Sequence, residues 1–266
     1  MTSNPKECAG TGCACSASEP RARAGEVDAT RRSLLGGAAA VAVTTLAPGV
    51  MLTVYGTSEA AAAGADPAKR WGLLVDVSKC VDGCTGCVDA CSKENGWSAR
   101  PGSQTDAQWI RKVSLRDPRT GATKSAPVMC QHCASPPCVD VCPTAASFKR
   151  ADGIVLVDKH RCIGCRYCMM ACPYKARSFV HEHLEDQKPH APRGIGTVES
   201  CTLCVHRVDR GQAPACVSAC ATSGGAMLFG DLNDPKSEIS VAIATHPTTR
   251  IRGDLGVDPG VRYRNL

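Results

Sequence analysis

The spacing of the cysteines constrains the fold of this chain more than any other feature of its 266-residue sequence. Three of the nineteen cysteines precede residue 16, and the remaining sixteen form four groups of four between residues 80 and 220. The groups are Cys80, Cys84, Cys87 and Cys91; Cys130, Cys133, Cys138 and Cys142; Cys162, Cys165, Cys168 and Cys172; and Cys201, Cys204, Cys216 and Cys220. We predict that a group bound to these sulfurs organises the fold.

The third group, in the segment CIGCRYCMMACP, has the most specific spacing. Two, two and three residues separate its successive cysteines, and a proline follows the last one. This is the pattern of a bacterial [4Fe–4S] ferredoxin loop, whose fourth cysteine ligates the neighbouring cluster. Four cubane clusters would need the sixteen thiolates of the four groups, and each cluster would cross-link distant parts of the chain.

The composition agrees with a fold that depends on metal cross-links. The chain has only three Phe, three Trp and four Tyr, and these are the residue types that usually dominate core packing. The formal net charge of +6 is spread along the chain, with no basic run interleaved with aromatic residues. Nucleic-acid binding is therefore disfavoured.

Zinc and disulfides are the two alternatives to iron–sulfur clusters. Structural zinc also uses CxxC pairs, but it has no use for a third cysteine at the same close spacing. Disulfides are permitted in an exported protein, and sixteen is an even number. Cysteines two residues apart would close small strained rings, and disulfide frameworks are typical of much shorter chains. The spacing therefore favours iron–sulfur clusters.

The N-terminal segment predicts export by the twin-arginine route. Arg31 and Arg32 precede an apolar stretch from Leu34 to about Tyr55, and the Ala63-Gly64-Ala65 sequence is a candidate cleavage site. A membrane-spanning helix is the alternative, although the glycines and Pro48 make this stretch a poor straight helix. We expect residues 1–65 to be a leader and signal, and the protein to be periplasmic or extracytoplasmic. Cleavage would discard three further cysteines, Cys8, Cys13 and Cys15.

Several segments resemble one protein family over most of residues 71–266. These segments are CQHCASPPCVDVCPTAA, DGIVLVDKHRCIGCRYCMMACPY, CTLCVHRVDRGQAPACVSAC and GDLNDPKSE. They resemble the four-cluster, ferredoxin-like electron-transfer subunits that partner dimethyl sulfoxide reductase, formate dehydrogenase, tetrathionate reductase and the nitrite reductase system. The resemblance implies an α+β, loop-rich fold of two intertwined ferredoxin-like modules. Module A would combine residues 71–91 with 195–230, module B would span 126–180, and 231–266 would form a C-terminal arm.

The resemblance also implies which cysteines share a cluster. One cluster would be held by Cys80, Cys84, Cys87 and Cys220, and its neighbour by Cys201, Cys204, Cys216 and Cys91. A third would be held by Cys130, Cys133, Cys138 and Cys172, and a fourth by Cys162, Cys165, Cys168 and Cys142. The extra residue between Cys80 and Cys84, and the missing proline after Cys220, make the first of these sites the least regular. A tight turn at Asp82-Gly83 would absorb the extra residue.

Within this family, the segments RWGLLVDVSKC, KENGW and DLGVDPGVRYRNL resemble the exported iron–sulfur subunits of the DsrO type, from a membrane complex of dissimilatory sulfur metabolism. Equivalent subunits of tetrathionate, nitrite or molybdopterin oxidoreductase complexes share most of the cysteine motifs. The sequence leaves both possibilities open.

Short β-branched runs precede the first and third cysteine groups, in the strand-then-loop pattern of a ferredoxin half. The second group, with Pro127 close before it, lacks as clear a strand. After each fourth cysteine, segments such as VDACSKEN and MMACPYKA predict one or two helical turns. Residues 92–129 form an insertion with a candidate strand at WIRKVSL. The last twenty residues predict an extended segment, either an arm over a partner or a surface tail.

Outside the cysteines, a few histidines and cations are candidates for cluster tuning. His132, in the second group, would either donate a hydrogen bond to a cluster or pack its loop. Acidic and lysine neighbours favour a solvated loop for His181, His183 and His190, rather than a metal or haem site. Four cations near the third group would stabilise a reduced cluster, meet an acidic partner or serve as ordinary surface charge: Lys159, Arg161, Arg166 and Arg177.

Taken together, these patterns predict an exported electron-transfer subunit that carries four [4Fe–4S] clusters and makes or breaks no substrate bond itself. Its expected partners are an integral membrane quinone-reactive subunit and further redox subunits, such as a cytochrome or an iron–sulfur protein. A catalytic subunit with a substrate site in residues 92–129 is one alternative, but no nucleophile, base or open metal site is arranged there. A zinc-stapled scaffold is the other.

Overall fold

The computed structural model describes residues 64–98, 105, 107–185 and 187–266, together with the backbone of two short strands at Val43–Ala47 and Val50–Thr53. The predicted signal arginines Arg31 and Arg32 and the cysteines of the leader lie outside these residues. None of the helices in the described part of the chain is long and apolar enough to cross a membrane. All the sites considered below lie within the compact unit Ala61–Leu266.

The secondary structure consists of short elements joined by long loops. In chain order the strands are β1 (Val43–Ala47), β2 (Val50–Thr53), β3 (Trp71–Asp76), β4 (Ile110–Arg116), β5 (Thr123–Met129), β6 (Ser147–Lys149), β7 (Val155–Val157), β8 (Arg177–Phe179), β9 (Val198–Ser200), β10 (Met227–Asp231) and β11 (Val261–Arg264). The helices are α1 (Gly86–Asn95), α2 (Pro137–Asp140), α3 (Tyr167–Ala171), α4 (Val205–Val208), α5 (Ala215–Thr222) and α6 (Glu238–Thr245). The mixed, loop-rich architecture expected from the sequence is confirmed.

Strand β3 is the centre of a three-stranded sheet, between antiparallel β10 and parallel β11. Its apolar run, Leu73 to Val75, is buried. The strand that pairs along its second edge was not expected, because the last twenty residues were predicted to be an arm or a surface tail. Strand β11 folds back onto β3, and Val261 and the fully buried Tyr263 pack into the core of this same chain. The sequence analysis missed this strand because parallel pairing with a strand so distant in sequence leaves no local signal.

Strands β4 and β5 form an antiparallel hairpin that ends directly at Cys130. The strand predicted at WIRKVSL is confirmed as β4. The expectation that the second cysteine group lacks a clear strand was wrong, since β5 continues through Pro127 to Met129. A proline is tolerated because this sheet has only two strands, so each strand keeps one open edge where a missing N–H costs no ladder bond.

Whether a helix continues past the fourth cysteine of a group depends on whether a proline follows that cysteine. In the third group α3 ends at Ala171, and Cys172 is already extended at φ −73° and ψ 111° because Pro173 follows it. The helical turn predicted after this cysteine is therefore absent. In the first group Ser92 replaces the proline, and α1 continues past Cys91 to Asn95 as predicted. Helix α5 likewise continues past Cys220 to Thr222, because no proline follows.

Sulfur makes up much of the interior. The largest buried cluster joins Leu73, Trp97, Trp109 and Tyr263 to seven cysteines, namely Cys87, Cys91, Cys130, Cys133, Cys172, Cys201 and Cys216. Helix α1 packs against α5, and α2 packs against α3, so the first and fourth cysteine groups meet, as do the second and third.

Candidate metal-cluster sites

None of the sixteen cysteines of the four groups forms a disulfide, and they are described in the four sets that the sequence analysis paired. We call these the first to fourth sites, in the order in which the sequence analysis paired their residues.

The first site is a cavity lined by Cys80, Cys84, Cys87 and Cys220. The loop between its first two cysteines contains the predicted tight turn. Gly83 lies at φ +77°, and the Cys84 N–H donates to the Val81 carbonyl over 3.2 Å, so the extra residue is absorbed. Burial raises the pKa of the Cys87 thiol to about 11, and the neighbouring thiols of Cys80 and Cys220 add to this shift.

The second site is a cavity lined by the sulfurs of Cys91, Cys201, Cys204 and Cys216, with Trp109 and Asn95 in its wall. Helix α1 supplies Cys91, and α5 supplies Cys216. The Trp97 indole N–H donates to the Cys91 sulfur over 3.3 Å, and the Leu203 N–H donates to the Cys201 sulfur over 3.4 Å. Burial raises the pKa of Cys91 to about 12.

The third site gathers Cys130, Cys133 and Cys138 around Cys172. Burial raises the pKa of Cys130 and of Cys133 to about 12, and the thiols of Cys138 and Cys172 contribute to both shifts. The Ala176 N–H donates to the Cys172 sulfur over 3.5 Å. The guanidinium of Arg177 donates to the Cys138 sulfur over 3.1 Å.

The fourth site is built on the loop that carries Cys162, Cys165 and Cys168. Cys165 is exposed, whereas Cys168 is buried beside Cys138 of the third site. Cys142 comes two residues after α2, which packs against α3. The Val198 N–H donates to the Cys162 sulfur over 3.4 Å, and the Ser147 N–H donates to the Cys142 sulfur over 3.3 Å.

These four sets suit clusters held by thiolates. The first three sets bring soft sulfur ligands together, and backbone N–H groups point at several of the sulfurs in the second, third and fourth sets, as is usual around iron–sulfur clusters. The raised pKa values mean that the buried thiols are neutral at pH 7 unless a metal displaces their protons. Metal binding at these sites would therefore release protons and stabilise the fold.

The structure places the histidine and the four cations that were predicted to tune the clusters in different environments. His132 is buried, and its Nδ1 accepts a hydrogen bond from the Val155 N–H over 3.0 Å, which leaves the Nε2 to carry any proton. Burial lowers the pKa of His132 to about 3, and the charge of Arg177 adds to this effect, so the ring is neutral. Of the four cations near the third group, Arg177 is buried and Lys159 donates to the Val198 carbonyl. Arg166 stacks on Phe179, and Arg161 is exposed.

Two contacts near the sites were missed by the sequence analysis. The hydrogen bond from Trp97 to Cys91 forms only because of the path that the chain takes after α1, so no sequence pattern predicts it. His190, assigned to a solvated loop, stacks on His206 with ring centroids 3.9 Å apart, and His206 contacts the Glu94 carboxylate over 2.8 Å. The hydrogen bond to His206 and the charge of Arg207 hold the pKa of Glu94 below its usual value.

Comparison with known proteins identifies relatives of this chain. Residues 122–232 match the family model of the 4Fe-4S dicluster domain. The chain is 44% identical to the Hdr-like menaquinol oxidoreductase iron-sulfur subunit 1 of Archaeoglobus fulgidus, over 74% of this chain and 84% of that protein. It is 38% identical to a tetrathionate reductase subunit of Salmonella typhimurium, over 75% of this chain and 74% of that protein. It is also 38% identical to a sulfite dehydrogenase subunit of Allochromatium vinosum, over 72% of this chain and 81% of that protein.

Proposed function

The chain belongs to the family of [4Fe–4S] electron-transfer subunits of oxidoreductase complexes, and on that premise we propose that it holds four clusters in a row. Each of the first to fourth sites would bind one cluster through its four cysteines. The bound clusters supply one-electron chemistry. The chain itself spaces the sites, tunes their potentials and docks its partners.

The observation that carries this proposal is the four-residue spacing of cysteines that serve neighbouring sites. Cys87 and Cys91 are one turn apart on α1, and they line different cavities. Cys216 and Cys220 have the same relationship on α5. Because α1 packs against α5, the first and second sites lie side by side, and the two cysteines on each helix are offset by a rise of about 6 Å along its axis.

The same spacing supports a continuous path through the other two sites. Cys138 and Cys142 belong to the third and fourth sites of the proposal, and so do Cys172 and Cys168. The second and third sites also adjoin, since Cys201 of the second and Cys130 of the third belong to the same buried cluster. This order supports two intertwined modules, one from the first and fourth cysteine groups and the other from the second and third.

The two terminal sites reach the surface, which suits the entry and exit of electrons. Val81, beside the first site, is 62% exposed. Around the fourth site, Ile163 and Met170 are 67% and 74% exposed, and Cys165 is exposed as well. Exposed apolar side chains around a redox site are a typical docking surface for a partner subunit.

We propose an integral membrane quinone-reactive subunit and at least one further redox subunit, a cytochrome or an iron–sulfur protein, as the partners. The relative named a menaquinol oxidoreductase subunit supports the quinone assignment. We propose that the complex functions in dissimilatory sulfur metabolism, because segments of the sequence resemble subunits of the DsrO type. The corresponding subunit of a tetrathionate, nitrite or molybdopterin oxidoreductase complex is the second candidate, and the relative in tetrathionate reductase favours it.

We also propose that the chain is exported by the twin-arginine route and acts on the extracytoplasmic face of the membrane. The pair Arg31-Arg32 before the apolar stretch supports this. Changing both arginines to lysine is expected to leave the protein in the cytoplasm with its iron in place. Fractionation that finds the double variant exported as well as the parent would contradict the route.

The function is tested by purifying the native complex from membranes and identifying its subunits. The proposal predicts a membrane-spanning quinone-reactive subunit in the complex, and reduction of the iron–sulfur signals when a quinol analogue is added. A complex whose clusters stay oxidised with quinol, or a functional monomer in native extracts, would contradict it. The identities of the remaining subunits distinguish sulfur metabolism from the alternatives.

A further inference from the structure

Arg177, at the start of β8, carries a buried positive charge between the third and fourth sites. The residue is only 6% exposed. Its Nη2 donates to the Cys138 sulfur over 3.1 Å, and its Nη1 donates to the Ser147 hydroxyl over 2.6 Å. Ser147 is itself a contact of the fourth site, because its N–H donates to the Cys142 sulfur.

Among the described residues, no carboxylate pairs with this guanidinium. The buried carboxylate of Glu199 belongs to Arg193, which binds both of its oxygens at 2.8 and 2.9 Å. A buried charge is costly unless an opposite charge accompanies it. The largest electrostatic influences that favour the charged form of Arg177 come from Cys138 and Cys130 of the third site and Cys168 of the fourth.

We propose that Arg177 is the counter-charge shared by the third and fourth clusters, and that it raises the reduction potentials of both. Reduction adds one electron, and thus one negative charge, to a site already rich in thiolates. The fixed cation stabilises that reduced form more than the oxidised one, and more strongly in the buried interior than in water. It also offsets the repulsion between the two sites when both are reduced. This inference rests on the proposed function, because it requires that the clusters are present.

Arg177 itself takes up and releases no proton in this step, because a guanidinium keeps its charge at every relevant pH. Arg177 therefore acts through a permanent charge, and as a positioning residue rather than a ligand. Exposed cations near the fourth site, such as Arg161 directly before Cys162, act through water and are expected to matter far less.

The test is a redox titration of the anaerobically purified full chain, followed by electron paramagnetic resonance. In Arg177→Gln we expect the iron content to be unchanged and the potentials of the third and fourth clusters to fall. The expected change is at least tenfold in the equilibrium constant for reduction, which is about 59 mV for a one-electron couple. The first and second clusters should keep their potentials, and Arg161→Gln should behave like the parent.

Arg177→Lys separates charge from hydrogen-bond geometry. The proposal requires that this variant keep its iron and keep the potentials within about threefold of the parent equilibrium. Full iron with unchanged potentials in Arg177→Gln would overturn the proposal. So would a tenfold shift in Arg177→Lys, or loss of iron from both variants, which would assign Arg177 a purely structural role. If the parent chain itself shows no [4Fe–4S] signals, the proposed function fails instead.

Discussion

The indole N–H of Trp97 donates a hydrogen bond to the sulfur of Cys91 over 3.3 Å, inside the second site. Hydrogen bonds to cluster sulfurs favour the reduced, more negative state, and so they raise the potential. Trp97→Phe keeps the apolar contacts and removes the donor. We expect the potential of the second cluster to fall by roughly 59 mV or less, about 1.4 kcal/mol for one electron, measured by redox titration.

Trp109→Phe is the matched control for this substitution. Trp109 is equally buried and also lines the second site, but its indole nitrogen has no hydrogen-bond partner among the described residues. Its replacement should leave the potential unchanged. Equal shifts in the two variants would refute the role given to the Trp97 donor.

Replacing Cys91 with serine tests whether the first cysteine group serves two sites. Cys91 lies on the same helix as Cys87, one turn away, but in a different cavity. Cys91→Ser should damage the second cluster and leave the first intact, as seen in the number and potentials of the resonance signals. Cys87→Ser should do the opposite. Loss of the same cluster in both variants would mean that the four cysteines of the first group act together.

The loop of the fourth site depends on close packing at Gly164. This residue lies at φ +72°, and a Cβ built there would come within 2.3 Å of the Gly196 carbonyl oxygen. Gly164→Ala should therefore destabilise the protein by more than about 2 kcal/mol and loosen the cluster held by Cys165. The measurements are thermal unfolding and iron content.

Gly196→Ala provides the comparison on the facing loop. Gly196 has a similar φ of +78°, but a Cβ there would meet nothing within 4 Å. The substitution should lower the free energy of unfolding only through left-handed backbone strain, by about 1–2 kcal/mol. Two variants of equal stability would argue against the steric contact.

The C-terminal strand is expected to contribute strongly to stability. Tyr263 is fully buried, and its hydroxyl donates to the Pro127 carbonyl over 3.0 Å. Tyr263→Ala should lower the free energy of unfolding by about 3–5 kcal/mol, as large aromatic truncations do, whereas Tyr263→Phe should lose about 1 kcal/mol. Urea unfolding of the two variants gives the values. A negligible effect of the alanine substitution would mean that the C-terminal residues do not pack as described.

The buried hydroxyl of Tyr263 is also expected to make the free energy of unfolding depend on pH. Burial raises its pKa from 10.0 to about 12, which means that folding favours the neutral hydroxyl. Its contribution to stability is complete below the unfolded pKa of about 10 and is lost as the pH rises towards 12. Tyr263→Phe should therefore lose less stability than the parent between these two pH values. Parallel curves for the two proteins would contradict the raised pKa.

Local chemistry explains what could be predicted from the sequence. Cysteine spacing marks the loops, Gly83 permits the turn that absorbs the irregular gap, and the proline after Cys172 decides where α3 ends. Each of these effects acts over a few residues. The strand at Ile110–Arg116 is of the same kind, since its β-branched pattern is visible locally.

Contacts between distant segments could not be predicted in this way. The pairing of β11 with β3 joins the two ends of the described domain, and the donors Trp97 and Arg177 reach their sulfurs only after the chain has folded. In the sequence Arg177 was one of four similar cations near the third group. Its burial and its hydrogen bond to the Cys138 sulfur set it apart from Arg161 and Arg166.

The central claim is that this chain holds four [4Fe–4S] clusters through its sixteen grouped cysteines, and metal analysis tests it most directly. The full chain should be purified anaerobically, and iron, acid-labile sulfide and zinc should be measured in the same sample. The account predicts about sixteen irons and about as many sulfides per chain, with no stoichiometric zinc. Stoichiometric zinc, or free thiols without iron and sulfide, would contradict it.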